Sequence, residues 1–179
     1  MVFVYFLLFV VFMFVGLYIA LAVFKICGWS FPYLFWGAIN VPSQPGTVEK
    51  MIELSGAGPG KKAVDLGCGE GRLVIALAKA GAEAHGFEIN PFLVRRAKEK
   101  IKQEGLDDKA FVYLKNLWKQ DLSDFDVVTI YAMKHMMNPL GKKLQKELKS
   151  GAKVVSNHFQ FKNWKPAQKK DDIYLYIKE

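Results

Sequence analysis

Asp65, Gly67, Gly69 and Gly71 occupy alternate positions in VDLGCGEGR, residues 64–72. The stretch follows a short apolar run and leads into an amphipathic one. Glycine there permits positive φ and lets a ligand approach the backbone closely. The helix that begins behind it offers free N–H groups. The dinucleotide fingerprint G-x-G-x-x-G is not met, because Arg72 stands where its third glycine would be. A carboxylate lining such a cradle repels a pyrophosphate and suits a positively charged group.

Glu88 lies 23 residues after Asp65, at the end of the next predicted strand, where a carboxylate can accept both hydroxyls of a ribose. Asn116 follows the third strand. Its side-chain carbonyl is placed to accept from an adenine amino group, with Leu117 and Trp118 against the ring. S-adenosylmethionine carries a sulfonium and an α-ammonium, and it fits this acidic, glycine-bare pocket better than NAD. The expected cofactor-binding set is Asp65, Gly67, Cys68, Glu70, Gly69, Gly71, Glu88, Ile89, Asn116 and Leu117. One such residue at each successive strand end is a far more specific signal than any of them alone. Three scattered histidines without a cysteine or carboxylate cluster give no case for a metal.

These residues need a scaffold, and the pattern supplies one. Helix is expected over 47–55, 71–80, 91–104 and 139–148, and strand over 62–66, 84–88, 110–114, 126–131, 152–159 and 173–178. Pro91 opens one helix and Gly105 closes it. The alternation predicts an α/β fold, a Rossmann-like doubly wound and mostly parallel sheet of six to seven strands with helices on both faces. In such sheets ligands bind at the carboxyl ends of the strands, where the strand order reverses.

Ahead of that unit, Val2 to Phe24 carries no charge and a single glycine. As a helix it would reach about 34 Å, enough for a hydrocarbon core of about 30 Å. One N-terminal transmembrane helix is therefore expected, contacting the bilayer through residues 2–24. A cleaved signal peptide is the rival, since Ala20-Leu21-Ala22 mimics a cleavage site, but no basic residue precedes the run. Lys25 starts the polar side, so the catalytic unit is expected in the cytoplasm or an equivalent inner compartment of a single-pass protein. Trp29, Tyr33 and Trp36 suit either a headgroup layer or an arm packed on the domain. The expected divisions are 1–25 as anchor, 26–46 as interfacial segment and linker, and 47–179 as the catalytic domain.

From Asn40 onward there are 24 basic and 17 acidic residues, which favours an anionic membrane surface. Nucleic acid is disfavoured, because no basic stripe interleaved with aromatics stands out. Cys27 and Cys68 are the two cysteines, and no disulfide is expected in that compartment.

VDLGCGEGR, GFEINP and the Asn116 position resemble the class I (seven-strand, Rossmann-like) S-adenosylmethionine-dependent methyltransferases. VPSQP, KNLWK, VVTIYAMKHM, LQKELKSGAKVVSNHF and the F-x-F-x-x-W of Phe159, Phe161 and Trp164 narrow this further. They resemble the small protein-lysine methyltransferases, a group with mitochondrial members acting on the c-subunit of ATP synthase and on the adenine nucleotide translocase. The resemblance implies methyl transfer to the ε-amine of lysine in membrane proteins. It also implies that Ser43, the hydroxyl residue of the V-P-x segment, closes over the methyl donor. The chain departs from the group in having Ser43 for threonine and Asn40 for an aromatic. The short stretch between Trp164 and Tyr174 predicts a curtailed last hairpin or a missing strand. Tyr131, at the end of the fourth strand, is the second candidate catalytic residue, lining the amine channel. Phe159, Phe161 and Trp164 are read either as aromatic faces for an alkylammonium or as plain core. The rival functions are methylation of a membrane lipid amine and a tethered binding module without turnover. Nucleic-acid methylation ranks last, because Tyr131-Ala132-Met133-Lys134 stands where an N-P-P-Y-like tetrapeptide would be.

Overall fold

The computed structural model describes residues 5–6, 9–23 and 45–179. The chain divides into two compact units, Met1–Gly37 and Ala38–Glu179. In the first, residues 9–23 form a helix, α1.

This first unit corrects the sequence reading. No helix among the described residues is long and apolar enough to cross a membrane. That finding overturns the expected transmembrane helix. Ser43, Cys27, Trp29, Tyr33, Trp36 and Asn40 lie outside the described residues.

The second unit runs α2 (Pro45–Ser55), β1 (Lys62–Leu66), α3 (Arg72–Lys79), β2 (Glu83–Glu88), α4 (Pro91–Gln103), β3 (Ala110–Leu114), a 3-10 turn (Leu117–Lys119), β4 (Val127–Ile130), α5 (Lys134–Glu147), β5 (Lys153–Asn157), β6 (Gln168–Lys170) and β7 (Ile173–Ile177). The strands form one seven-stranded sheet in the order β3-β2-β1-β4-β5-β7-β6. The first five are parallel, while β7 runs antiparallel to β5 and β6 antiparallel to β7. The order reverses between β1 and β4, which puts the ligand crevice at their carboxyl ends.

Burial explains the elements. β4 reads VVTI and is buried throughout, as expected of a parallel strand covered on both faces. One core cluster joins Val64, Leu66, Val128, Ile130 and Val154 to Met137, Leu140 and Leu144 of α5. A second joins Ala63, Ala84, Val112 and Val127 to Leu77 of α3 and Ala97 of α4. A third seats Met51 and Leu54 of α2 on Val155, Ile173 and Leu175. α4 starts where expected, with Asn90 Oδ1 accepting from Phe92 N and Pro91 in its first turn.

Two elements depart most from the sequence reading, beyond shifts of one or two residues at other ends such as β5, which stops at Asn157 rather than Phe159. α5 begins at Lys134, five residues before the expected start, and Pro139 lies inside it. Reading that proline as the first helical residue misplaced the boundary. β6 is the strand whose absence was entertained; it is present but three residues long, so the last hairpin is short rather than incomplete.

Candidate functional site

The site grows from the exit of β1. Asp65 lies in register with Gly86 of β2 and Thr129 of β4, and the residue is 4 % exposed. Thr129 Oγ1 donates to Asp65 Oδ1 at 2.8 Å. Burial raises the carboxyl pKa from 3.8 to about 7; the Thr129 bond opposes the rise and the Glu88 charge adds to it. This carboxyl gains from any cation brought beside it.

Beyond Leu66 the chain turns through three left-handed glycines, Gly67, Gly69 and Gly71, at φ 82°, 53° and 80°. The N–H groups of Gly67 and Cys68 both donate to the Phe87 carbonyl. Gly71 is left without a side chain for close packing, since a Cβ there would lie 3.1 Å from Ala97 Cβ. Gly67 differs: a Cβ there meets nothing within 4 Å. Its bare face opens onto the crevice, and that open face is where a ligand would lie against the backbone.

Glu88 is the hub of the cradle. Its Oε2 accepts from Gly69 N at 3.0 Å, and Oε1 accepts from Ile89 N at 2.8 Å and Asn90 N at 2.9 Å. A carboxylate has about four acceptor sites, so about one remains, on Oε2. In the folded chain Glu88 thus keeps about one free acceptor site for a ribose hydroxyl.

The other expected residues divide. Ile89 and Leu117 flank the same strand ends, half-buried. Asn116 Oδ1 accepts from Trp118 N at 3.0 Å and caps the 3-10 turn, which leaves one carbonyl lone pair for a ligand. Cys68 is buried, and burial pushes its thiol well above the usual range; its sulfur sits where a Gly86 side chain would be. Glu70 pairs with Lys100 and with Arg96 at 2.8 Å on α4, and these partners hold its carboxyl below the usual range. Phe161 is buried and contacts Tyr176 and Trp164 at 4.9 and 5.5 Å, which favours the core reading of that aromatic group over a cage.

Register adds a residue that the sequence reading missed. Leu66 faces Phe87 and Ile130, and Ile130 faces Ser156. One step further lie Gly67, Glu88, Tyr131 and Asn157, a terminal row across β1, β2, β4 and β5. Alternation puts Tyr131 and Asn157 on the face of Asp65, Thr129 and Val155. The signal for Asn157 was available in the polar end of VVSN, but it needed the register to give it a neighbour. Among the described residues no His, Cys, Asp and Glu group could hold a metal.

Comparison with known proteins meets this geometry from outside. The family described as the ANTKMT methyltransferase domain matches residues 65–168. The chain is 39 % identical over 126 residues to the ATP synthase c-subunit lysine N-methyltransferase of Rattus norvegicus, covering 70 % of this chain and 58 % of that protein. It is 34 % identical over 147 residues to a protein-lysine N-methyltransferase of Saccharolobus islandicus, covering 76 % and 91 %. Among solved structures, an RNA methyltransferase from Salinibacter ruber in complex with S-adenosyl-L-homocysteine aligns with a TM-score of 0.75 and 32 % identity, covering 76 % and 93 %. The chain spans a little over half the length of the ATP synthase c-subunit enzymes, 58 % of the rat and 54 % of the human protein.

Proposed function

The chain belongs to the ANTKMT methyltransferase family, and on that premise we propose that it transfers a methyl group from S-adenosylmethionine to the ε-amine of lysine in a protein. The observation that carries this reading is the cradle: a buried, cation-seeking Asp65 beside the open glycine backbone at Gly67, with Glu88 behind it. The names of the rat and Saccharolobus relatives support lysine as acceptor.

S-adenosylmethionine, when bound, supplies a methyl group on a positively charged sulfur that an amine displaces in line. Asp65 sets an anionic wall beside that charge. Glu88 offers its remaining Oε2 lone pair to a ribose hydroxyl, and Asn116 its carbonyl to the adenine amino group. Tyr131 bounds the amine's approach from the end of β4. The role of Ser43 over the donor rests on the family resemblance alone. Alignment of the nucleophile is the main contribution of such a site. The acceptor must also arrive uncharged: at a pKa of about 10.4, about one lysine in 2,500 is neutral at pH 7. The half-buried Tyr131 wall favours the neutral form by excluding water around the amine.

A membrane-associated acceptor protein is the finer reading. Between Lys134 and Lys170 the sequence has ten lysines and one glutamate, a local excess of positive charge that favours anionic surroundings. Incubating the full chain with methyl-labelled donor and membrane proteins, extracted lipids or RNA tests the whole reading. Label on lysine ε-amines is expected; label in lipid or RNA alone overturns it. RNA is the second reading, favoured by the Salinibacter structure and opposed by Tyr131-Ala132-Met133-Lys134 after β4.

A further inference from the structure

β5 ends in an unusual way. His158 is one of two non-glycine residues at positive φ among the described residues, at 70°. Phe159 N donates to the Asn157 carbonyl at 2.9 Å, so residues 157–159 close a three-residue turn around the left-handed His158. Such turns are rare, and a non-glycine residue is strained there. Three contacts hold it. Ser156 Oγ donates to the Phe159 carbonyl at 2.6 Å. His158 N donates to the Asp172 carbonyl at 2.6 Å, and the His158 and Phe159 rings meet edge to face at 4.6 Å. A relaxed connection would serve if β5 only had to end. Strain maintained by several contacts points to a residue that must be held in place.

The residue so held is Asn157. It is half-buried, pairs with Ile173 of β7, and stands one strand from Tyr131 in the terminal row, about 4.8 Å across the sheet. Its carboxamide makes no hydrogen bond among the described residues. Glu88 lies on the opposite flank, beyond β1 and β4. A donor with its ribose at Glu88 and its charge at Asp65 therefore reaches toward β4, and Asn157 lies on the far side of the transferred group, where the acceptor arrives.

We propose that Asn157 is the catalytic residue that orients the acceptor amine; this rests on the lysine methyltransferase reading above. The Asn157 carbonyl accepts one N–H of the neutral ε-amine and turns the nitrogen lone pair toward the methyl carbon. The N–C bond forms as the C–S bond breaks, the bonding pair stays on sulfur, and the resulting methylammonium loses a proton to water. A neutral acceptor suits this step. A carboxylate at the same place would hold the amine as its ammonium, in which the lone pair is lost to a proton.

The test uses the full chain with membrane-protein extract as acceptor and saturating labelled donor. Asn157→Ala is expected to lower the transfer rate on the order of 10- to 100-fold while calorimetric donor affinity stays at the wild-type value. Asn157→Asp is expected to move the rising limb of the pH–rate profile to higher pH. A structural role would produce no such pH shift. Wild-type rates in Asn157→Ala, donor affinity falling in step with the rate, or an unmoved Asn157→Asp profile would each overturn the role of Asn157. A wild-type chain that labels no lysine overturns the functional reading instead, so the two failures are told apart.

Discussion

Thr129 bridges to Asp65 across the β1–β4 junction with a 2.8 Å hydrogen bond, at the point where the strand order reverses. The bond is too weak to offset burial, so Asp65 titrates at about 7 rather than 3.8. Donor binding should therefore be pH-dependent. If the ionised form alone receives the cationic donor, affinity is constant above pH 8 and falls about tenfold per pH unit below 7. Calorimetry from pH 5 to 9 reads this directly; a flat profile would remove Asp65 from the donor site.

The same carboxyl stores a stability penalty. Its folded pKa lies above its unfolded value, so its contribution to stability is fully present below pH 3.8 and is lost as pH rises through about 7. Replacing the carboxylate with a carboxamide would keep the Thr129 bond without the charge. Asp65→Asn is expected to stabilise the ligand-free chain at pH 8, by up to about 4 kcal/mol, and hardly at all near pH 4. It should abolish donor binding at pH 8, where the wild type binds. Urea unfolding at the two pH values is the check.

Glycines 67 and 86 predict opposite phenotypes. Gly67→Ala meets no atom within 4 Å, so only left-handed strain of about 1–2 kcal/mol is incurred, yet the methyl enters the donor's space and affinity should drop at least tenfold, by about 1.4 kcal/mol or more. Gly86→Ala places a Cβ 2.6 Å from Cys68 Sγ and 2.8 Å from Val74 Cγ2, and should destabilise the fold by about 1–3 kcal/mol. Denaturation midpoints and donor titrations on both variants separate the roles.

Two carboxylates of the cradle should also diverge. Glu70→Gln removes partly exposed ion pairs to α4, worth about 0–1 kcal/mol, and should leave donor affinity within about threefold of wild type, a change under about 0.7 kcal/mol. Glu88→Ala strips the acceptor from three N–H groups and should lower affinity by about a hundredfold, some 2.7 kcal/mol. Equal losses in both would mean that Glu70 turns to the ligand after all.

Phe161 tests core against cage. Phe161→Ala should cost about 3–5 kcal/mol of stability, because the ring packs on Gly141, Trp164 and Tyr176. Unchanged thermal stability with weaker acceptor binding would restore the cage reading.

Strands β1 and β3 were legible to the residue, since each is a short apolar run bounded by glycine or charge. β6 was not, because Gln168-Lys169-Lys170 has neither apolar alternation nor branched side chains, and forms only because β7 offers it a ladder. The start of α5 was hidden by Pro139, whose usual place is a first turn. In the site, residue types and strand ends could be read in advance. What those side chains already bind in the folded chain could not: Glu88 to its own loop, Glu70 to α4, Asn116 to its turn. Those bonds depend on where the backbone goes after each strand. Asn157, polar at the end of VVSN, went unused for a related reason, since only the register sets it beside Tyr131.

The sheet's two outer margins are unlike each other. On one side β6 is three residues long, carries Lys169 and Lys170, and is fastened through Lys170 to Glu53 at 2.6 Å. Short, charged and tied down, it is a poor template for another chain. On the other side β3 presents five residues and an exposed Leu114, with its flanking charges, Asp107, Asp108, Lys109 and Lys115, outside the strand itself. Copies that aggregate when the protein is heated or concentrated would join there, so a lysine at position 114 is the simplest route to a more soluble preparation.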